Sequence, residues 1–415
     1  MLIKSFSIYT LGAFLTQGIN FLLLPLFTHY LTTADFGLLT LITTSASFLA
    51  PLMLLSIDGA ISIEYYKQQF NDFSRYISSS LLISSISGLL IFFILLISNA
   101  YLYSFFGIPR LWLLLIPVFA ILENFKIVAL VIFQVKKKAE LYALVSFSYT
   151  LVNIFLSLFF VIFLKYNYTG RLYSQYISTF AYFVMAVLIL LNQKLLTIRV
   201  EKRMMADAFN YGLPLVLHAI GFITINLADR LFVSHYSGTS QLGIYSLAYT
   251  IGSVISIIAI AFNNAWTPHL FELLTGNTPE SKRKIVKTTY AYLASLFLIT
   301  ILLIISSQFI FYIFIDPRFS AGAKIMPWIA MSSYFFGCYL AFTNFIFYKK
   351  NNKIFAIAAI INILVNLILN YFLIPAYGII GAAYATFISF LIFAAFIGTI
   401  AIKLYPEISW SKIGK

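Results

Sequence analysis

The chain has 415 residues, of which 61% are hydrophobic and 10% charged, and its mean hydropathy is +0.95. Soluble domains carry roughly 25% charged residues, and no soluble fold has enough interior to hide this much apolar surface, so a soluble globular enzyme and a disordered chain are excluded. The net charge is +14, and the single cysteine, Cys338, excludes an intrachain disulfide and a CxxC metal pair.

Lys4 is followed by an apolar run that reaches Thr28. That run exceeds the roughly 7–15-residue core of a signal peptide and no small-residue cleavage site ends it, so a first membrane span is expected here rather than a leader. Applying the need for about 20 mostly apolar residues per span along the chain gives twelve: 7–28, 37–58, 76–98, 111–133, 142–164, 173–191, 208–232, 242–264, 286–313, 325–348, 355–375 and 379–402. The runs are continuous and do not alternate, which excludes β-barrel strands. With the N-terminus inside, the inner segments hold 20 of the 27 Lys and Arg and the outer segments 6, while Lys126 lies within a span. The positive-inside rule then sets both termini in the cytoplasm. The spread of these charges over seven inner segments also removes nucleic acid as a partner.

The chain repeats itself. His29-Tyr30, five residues, then Phe36-Gly37 follows the first span, and His235-Tyr236, five residues, then Leu242-Gly243 follows the seventh. Lys136-Lys137 with Leu151-Val152-Asn153 at the fifth span matches Lys349-Lys350 with Leu364-Val365-Asn366 at the eleventh. Six spans per repeat is an even number, so both halves enter the membrane in the same direction, as in a parallel repeat. The expected organisation is a six-helix lobe over 1–191, a basic cytoplasmic linker over 192–207 that lies along the inner surface, and a second six-helix lobe over 208–415.

No GxxxxGK[ST] loop, HExxH pair or nucleophile–histidine set is present, and the 13 carboxylates form no cluster. No cofactor, metal or catalytic residue is therefore expected, and the chain does not read as an enzyme. Polar groups inside spans remain. Glu123 and Lys126 share one face of the fourth span, with Lys126 roughly 15 Å from the inner edge at 1.5 Å per residue. A charge there costs about 2.5–3.5 kcal/mol on insertion scales. Two readings stand: a self-neutralising pair that joins helices, or a cationic site in a hydrated cavity. Asp229 and Arg230 end the seventh span and point about 100° apart on a helix, so they are not a natural pair. Arg230 either snorkels to outer headgroups or serves a cavity. His218, deeper in that span, is either a proton site or a hydrogen-bonded interface residue. Gly12, Gly18 and Pro25 in the first span, and Gly212, Pro214 and Gly221 in the seventh, mark bending helices and a substrate path.

Residues 28–41, THYLTTADFGLLTL, resemble the first outer loop and second span of the Wzx-type polysaccharide-biosynthesis flippases. Residues 211–252 do so too, through Tyr211 to Pro214, Asp229, Arg230 and Phe232, and Leu242 to Tyr249. The resemblance implies an all-α, twelve-span, two-lobed fold of the multidrug/oligosaccharidyl-lipid/polysaccharide exporter class, similar to MATE transporters. It implies translocation of undecaprenyl-diphosphate-linked oligosaccharide across the bacterial inner membrane, through a partly cationic central cavity and by alternating access. Lys126, Glu123, Arg230, Asp229 and His218 are then the candidate substrate-binding residues. Membrane lipid, a coupling H+ or Na+, a polysaccharide polymerase and glycosyltransferases are the candidate partners. Lipid II flippases of this class typically have fourteen spans, so twelve argues against that branch. A cation-coupled multidrug exporter of the same fold and an integral-membrane glycosyltransferase are the rivals. The first would want buried carboxylates, and the second an acidic outer loop and a larger outer domain.

Overall fold

A computed structural model describes residues 21–349, 352–408 and 410, and every regular element among them is helical. In chain order these are α1 (Leu24–Tyr30), α2 (Thr33–Leu54), α3 (Ile57–Lys67), α4 (Phe73–Phe106), α5 (Arg110–Val135), α6 (Ala139–Leu158, continued by a π-turn over Phe159–Phe163) and α7 (Asn167–Asn192). There follow α8 (Lys202–Gly252), α9 (Val254–Gly276), α10 (Pro279–Ile305), α11 (Ser307–Phe314), α12 (Gly322–Tyr348) and α13 (Asn352–Leu404). Hydrocarbon offers no partner for a free N–H or C=O, so a spanning segment that is not a closed barrel must be a helix.

Nine helical segments among the described residues are long and apolar enough to cross a membrane, which makes this a multi-pass membrane protein. Two of them, Leu227–Gly276 and Ile357–Leu404, run to 50 and 48 residues. At 1.5 Å per residue each would reach about 70 Å, over twice the hydrocarbon thickness. The first is broken at Gly238 (φ 82°, ψ 169°) and again at Ser253, the second at Gly378 (φ 60°, ψ −141°). A side chain would be strained at either backbone geometry, so glycine is what allows a hairpin here without a loop. Divided at Gly378, Ile357–Leu404 gives two arms each long enough to cross, and the first expected span lies mostly outside the described residues.

The internal repeat is visible in where the backbone reverses. The non-helical Thr32 between α1 and α2 stands 206 residues before Gly238. The left-handed Gln68 (φ 49°) stands 209 before Asn277 (φ 46°), and Lys165 (φ 54°) stands 213 before Gly378. The offset rises in the same direction as in the two sequence matches. His29 and Tyr30 meet edge to face at 5.3 Å between ring centroids, and His235 and Tyr236 do so at 4.8 Å.

The contacts divide the chain into two compact units between Leu227 and Ala228. The first has a core of Ile57, Ile61, Tyr76, Ile77, Val128 and Ile132, which also takes in Leu195, Met204 and Ala208. Residues 192–207 are thus tied to unit 1 rather than laid over it. The Ser78 and Ser79 hydroxyls accept from the N–H groups of Thr197 (2.9 Å) and Glu201 (3.0 Å), and the Tyr76 O–H donates to Asp207 Oδ2 at 2.8 Å. The second unit packs around Trp266, Leu270, Ile285, Phe345 and Tyr405, with Phe262 stacked on Tyr292 at 4.0 Å.

Gly212 sits where α8 crosses the α2–α3 connection. A Cβ there would stand 1.8 Å from the Leu55 carbonyl oxygen, and a backbone carbonyl cannot swing away as a rotamer can. Gly212→Ala is expected to cost at least the about 1–3 kcal/mol of ordinary overpacking. Gly398→Ala, whose Cβ would meet Phe342 at 3.6 Å, should change stability by less than about 0.5 kcal/mol. Thermal unfolding of the two variants in detergent checks this, and equal midpoints would contradict the close packing.

Candidate functional site

In unit 1, α5 brings Glu123 and Lys126 onto one face, as spacing i, i+3 requires. Lys126 Nζ lies 2.6 Å from Glu123 Oε1, and Lys126 is buried at 7% exposure. On its other side the ammonium stands 3.5 Å from the centroid of the Tyr149 ring on α6. The Tyr149 hydroxyl meets Thr179 Oγ1 on α7 at 3.1 Å, and Thr179 Oγ1 donates to Glu123 Oε2 at 3.4 Å. Thr179 has one proton and gives it to the carboxylate, so Tyr149 is the donor to Thr179. Three helices are thereby joined in a closed circuit: ammonium, carboxylate, hydroxyl, phenol and back to the ammonium through the ring face. A desolvated cation–ring contact of this kind adds about 2 kcal/mol.

A cavity of about 290 Å³ opens between α2, α5 and α7. Its wall is largely apolar, with Thr43, Ser47, Glu123, Gln175 and Tyr176 among its polar groups. Glu123 is the charged member of that wall, and Lys126 stands behind it. The sequence points to the lysine as the group a substrate meets. The packing instead turns the carboxylate toward the space and sets the lysine beneath an aromatic face.

Arg171 carries weight that the sequence does not reveal. Counted among outer-loop charges, it lies in the second turn of α7 and folds inward. Its Nη1 donates to Ser157 Oγ at 2.7 Å, and its guanidinium lies 4.6 Å from the Phe27 ring centroid. Ser157 and Ser174 share a 2.6 Å hydrogen bond beside it, just before the π-turn of α6.

Unit 2 holds the other candidates. Asp229 and Arg230 are buried at 4% and 9% exposure, so Arg230 does not snorkel to the surface. Despite their adjacency they pair: Arg230 Nη1 and the Arg230 N–H reach Asp229 Oδ1 at 3.4 and 2.8 Å. The arginine is long enough to fold back, and the carboxylate is held from its far side, where the Tyr245 O–H donates to Oδ2. The guanidinium lies over the Tyr249 ring at 4.4 Å. The arrangement repeats the logic of unit 1, with a carboxylate, a cation and an aromatic face, using different positions. The His218 side chain lies outside the described residues. Asn366 bridges the two arms of α13, donating to Ser389 Oγ at 3.3 Å and accepting from Asn370 at 2.9 Å. Among the described residues no group of three His, Cys, Asp or Glu is placed to hold a metal ion.

The model of a family described as "Polysaccharide biosynthesis protein" matches residues 2–274, and the MatE model matches 214–372. Lsg locus putative protein 1 of Haemophilus influenzae is 23% identical over 376 residues, covering 87% of this chain and 88% of that protein. Among solved structures, the lipid II flippase MurJ in an inward closed conformation has a TM-score of 0.76 at 15% identity, covering 97% of this chain and 89% of that one. An inward-facing multidrug resistance MATE family transporter of the MOP superfamily has a TM-score of 0.69 at 13% identity, covering 98% and 96%. At these identities the structural likeness establishes a shared fold.

Removing one partner of a buried pair strands the other's charge, at about 3–5 kcal/mol. Arg230→Ala is expected to lose most folded protein, whereas Tyr245→Phe removes one donor and costs about 1–3 kcal/mol. Size-exclusion profiles and melting midpoints in detergent should rank them in that order, and an Arg230→Ala protein as stable as the parent would contradict the buried pair.

Proposed function

The chain belongs to the polysaccharide biosynthesis protein family, and from that premise we propose that it is a flippase. It moves polyprenyl-diphosphate-linked oligosaccharide from the inner to the outer leaflet of the bacterial cytoplasmic membrane, by alternating access, and leaves the cargo chemically unchanged. The family match over 2–274 carries the reading, and the fold shared with a lipid II flippase supports it. The chemistry is suited to the task. Diphosphate and sugars cannot cross hydrocarbon unaided, while the polyprenyl tail prefers to remain in it. Lys126 is a cation already stabilised at mid-span by Glu123 and Tyr149, so a diphosphate that displaces the carboxylate finds a positive charge held in place. Outward movement of an anion is favoured by about 2.3 kcal/mol per charge per 100 mV of inside-negative potential. Coupling to H+ or Na+, and association with a polymerase and glycosyltransferases, belong to the same proposal.

A second reading, a cation-coupled multidrug exporter, draws on the MatE match over 214–372 and on the Glu123 carboxylate in the cavity wall. Deleting the gene separates the two. A flippase mutant loses surface polysaccharide and accumulates sugar–lipid on the inner leaflet. An exporter mutant keeps its polysaccharide and becomes sensitive to cationic drugs.

Point variants test the site within the flippase reading. Lys126→Ala should abolish complementation at normal expression, and Lys126→Arg should retain part of it, since the charge survives in a different shape. Glu123→Gln should be milder than Lys126→Ala. Equal loss of folded protein in Lys126→Ala and Glu123→Gln would reduce the pair to a structural link.

A further inference from the structure

A second cavity, of about 500 Å³, lies at the α3–α4 turn, lined by Glu64, Tyr65, Tyr66, Gln68, Phe70, Asn71 and Phe73. The volume falls within the usual range for small-molecule sites, roughly 300–1,000 Å³. It is on the side that the Lys and Arg asymmetry assigns to the cytoplasm, far along α3 and α4 from their opposite ends.

The turn is held rigid by its own bonds. α3 ends with Gln68 in the left-handed region, and the Glu64 carboxylate reaches across the reversal to accept from the Phe70 N–H at 2.7 Å. Asp72 caps α4, accepting from the Arg75 N–H at 3.0 Å and the Ser74 hydroxyl at 2.7 Å. Those bonds hold the Asp72 carboxyl below its usual range, the Arg75 N–H contributing most, so the cap persists at neutral pH. The Tyr66 O–H donates to the Val135 carbonyl at 3.4 Å, and Tyr65 packs edge to face against Tyr66 and Phe73 at 5.3 and 5.6 Å. The backbone of the turn is fixed by these bonds, and Tyr66, Gln68 and Asn71 stand exposed on it.

Its chemistry selects a class of ligand. The charged side chain among the lining residues is the Glu64 carboxylate, which is buried and already accepts from the Phe70 N–H, and the Arg203 guanidinium lies 5.6 Å from the Phe70 ring centroid. Gln68 and Asn71 are exposed, and each amide offers both a donor and an acceptor. Vicinal hydroxyls present the same mixed pattern, and the apolar face of a pyranose stacks on a ring such as Tyr66, which is 63% exposed. An ammonium ligand would suit the rings, but the carboxylate it would pair with is buried and already holds the Phe70 N–H.

We propose that this pocket is a carbohydrate subsite that engages the oligosaccharide of the cargo on the cytoplasmic side, apart from the group that meets its diphosphate. The inference deepens the flippase reading and rests on it for the identity of the cargo.

The test uses the full chain in nanodiscs and ligand-observed saturation-transfer NMR, with a panel of free neutral and N-acetylated hexose trisaccharides as probes. Choline and ethanolamine serve as ammonium controls, and polyprenyl diphosphate as the sugar-free control. Gln68→Gly removes an amide at a φ of 49° that glycine accepts, and Asn71→Ala removes another at an exposed position. At least one trisaccharide should bind the parent, and the double variant should bind it at least tenfold more weakly with polyprenyl diphosphate binding unchanged. Binding of no trisaccharide, equal binding by the double variant, or preference for the ammonium controls would overturn the subsite. Loss of surface polysaccharide on gene deletion reports on the flippase reading separately, so the two can fail independently.

Discussion

Hydrocarbon solvates neither a peptide group nor a charge, and the rest of this structure answers to that constraint. Every described element is a helix, because a helix satisfies its backbone internally. Where the chain must reverse between two long apolar arms it does so on a single glycine, at 238 and at 378, which keeps unpaired backbone to a minimum. At two places where it carries a cation into the interior it adds an anion and an aromatic face: Lys126 with Glu123 and Tyr149, Arg230 with Asp229, Tyr245 and Tyr249. A ring face solvates a cation without adding a second anion. The pair plus ring therefore lowers the cost of burial.

The two halves share reversals and the His-Tyr pairs before the first of them, and differ in where they bury charge. Offsets of 206, 209 and 213 align their turns, because each half must fold the same number of apolar rods at the same lengths. The charged pairs do not align. By the offset of 206, Asp229 falls on Leu23 and Tyr249 on Thr43, a residue of the unit 1 cavity wall. Backbone geometry is constrained equally in both copies by the bilayer, whereas side chains facing the interior are free to diverge.

Residues 192–207 show what fastens a boundary segment to its unit. Their basic residues suggest a strap on the inner surface. Their apolar minority decides the outcome, since Leu195 and Met204 enter the core of unit 1, while Ser78 and Ser79 take the N–H groups of the extended stretch and Asp207 accepts from Tyr76. A few buried methyl groups and three directed hydrogen bonds fasten the segment while its lysines remain exposed.

Composition and apolar run length determined the all-helical fold class and the multi-pass character, because the cost of exposing polar backbone to lipid is the same wherever a segment sits and is summed along the chain. Residues 28–41 and 211–252 likewise carried the family. The helix register put Glu123 and Lys126 together, since i, i+3 spacing is local. What only the tertiary structure decided is which group faces open space, because that depends on a third helix. Tyr149 and Thr179 come from α6 and α7, and their ring and hydroxyl draw the lysine inward and turn the carboxylate toward the cavity. Arg171 escaped for the same reason: nothing in its neighbours along the chain signals that Phe27 and Ser157 will receive its guanidinium. The pairing of Asp229 with Arg230 runs against their helical directions and follows from Tyr245, sixteen residues away, fixing the carboxylate where the arginine can fold back to it.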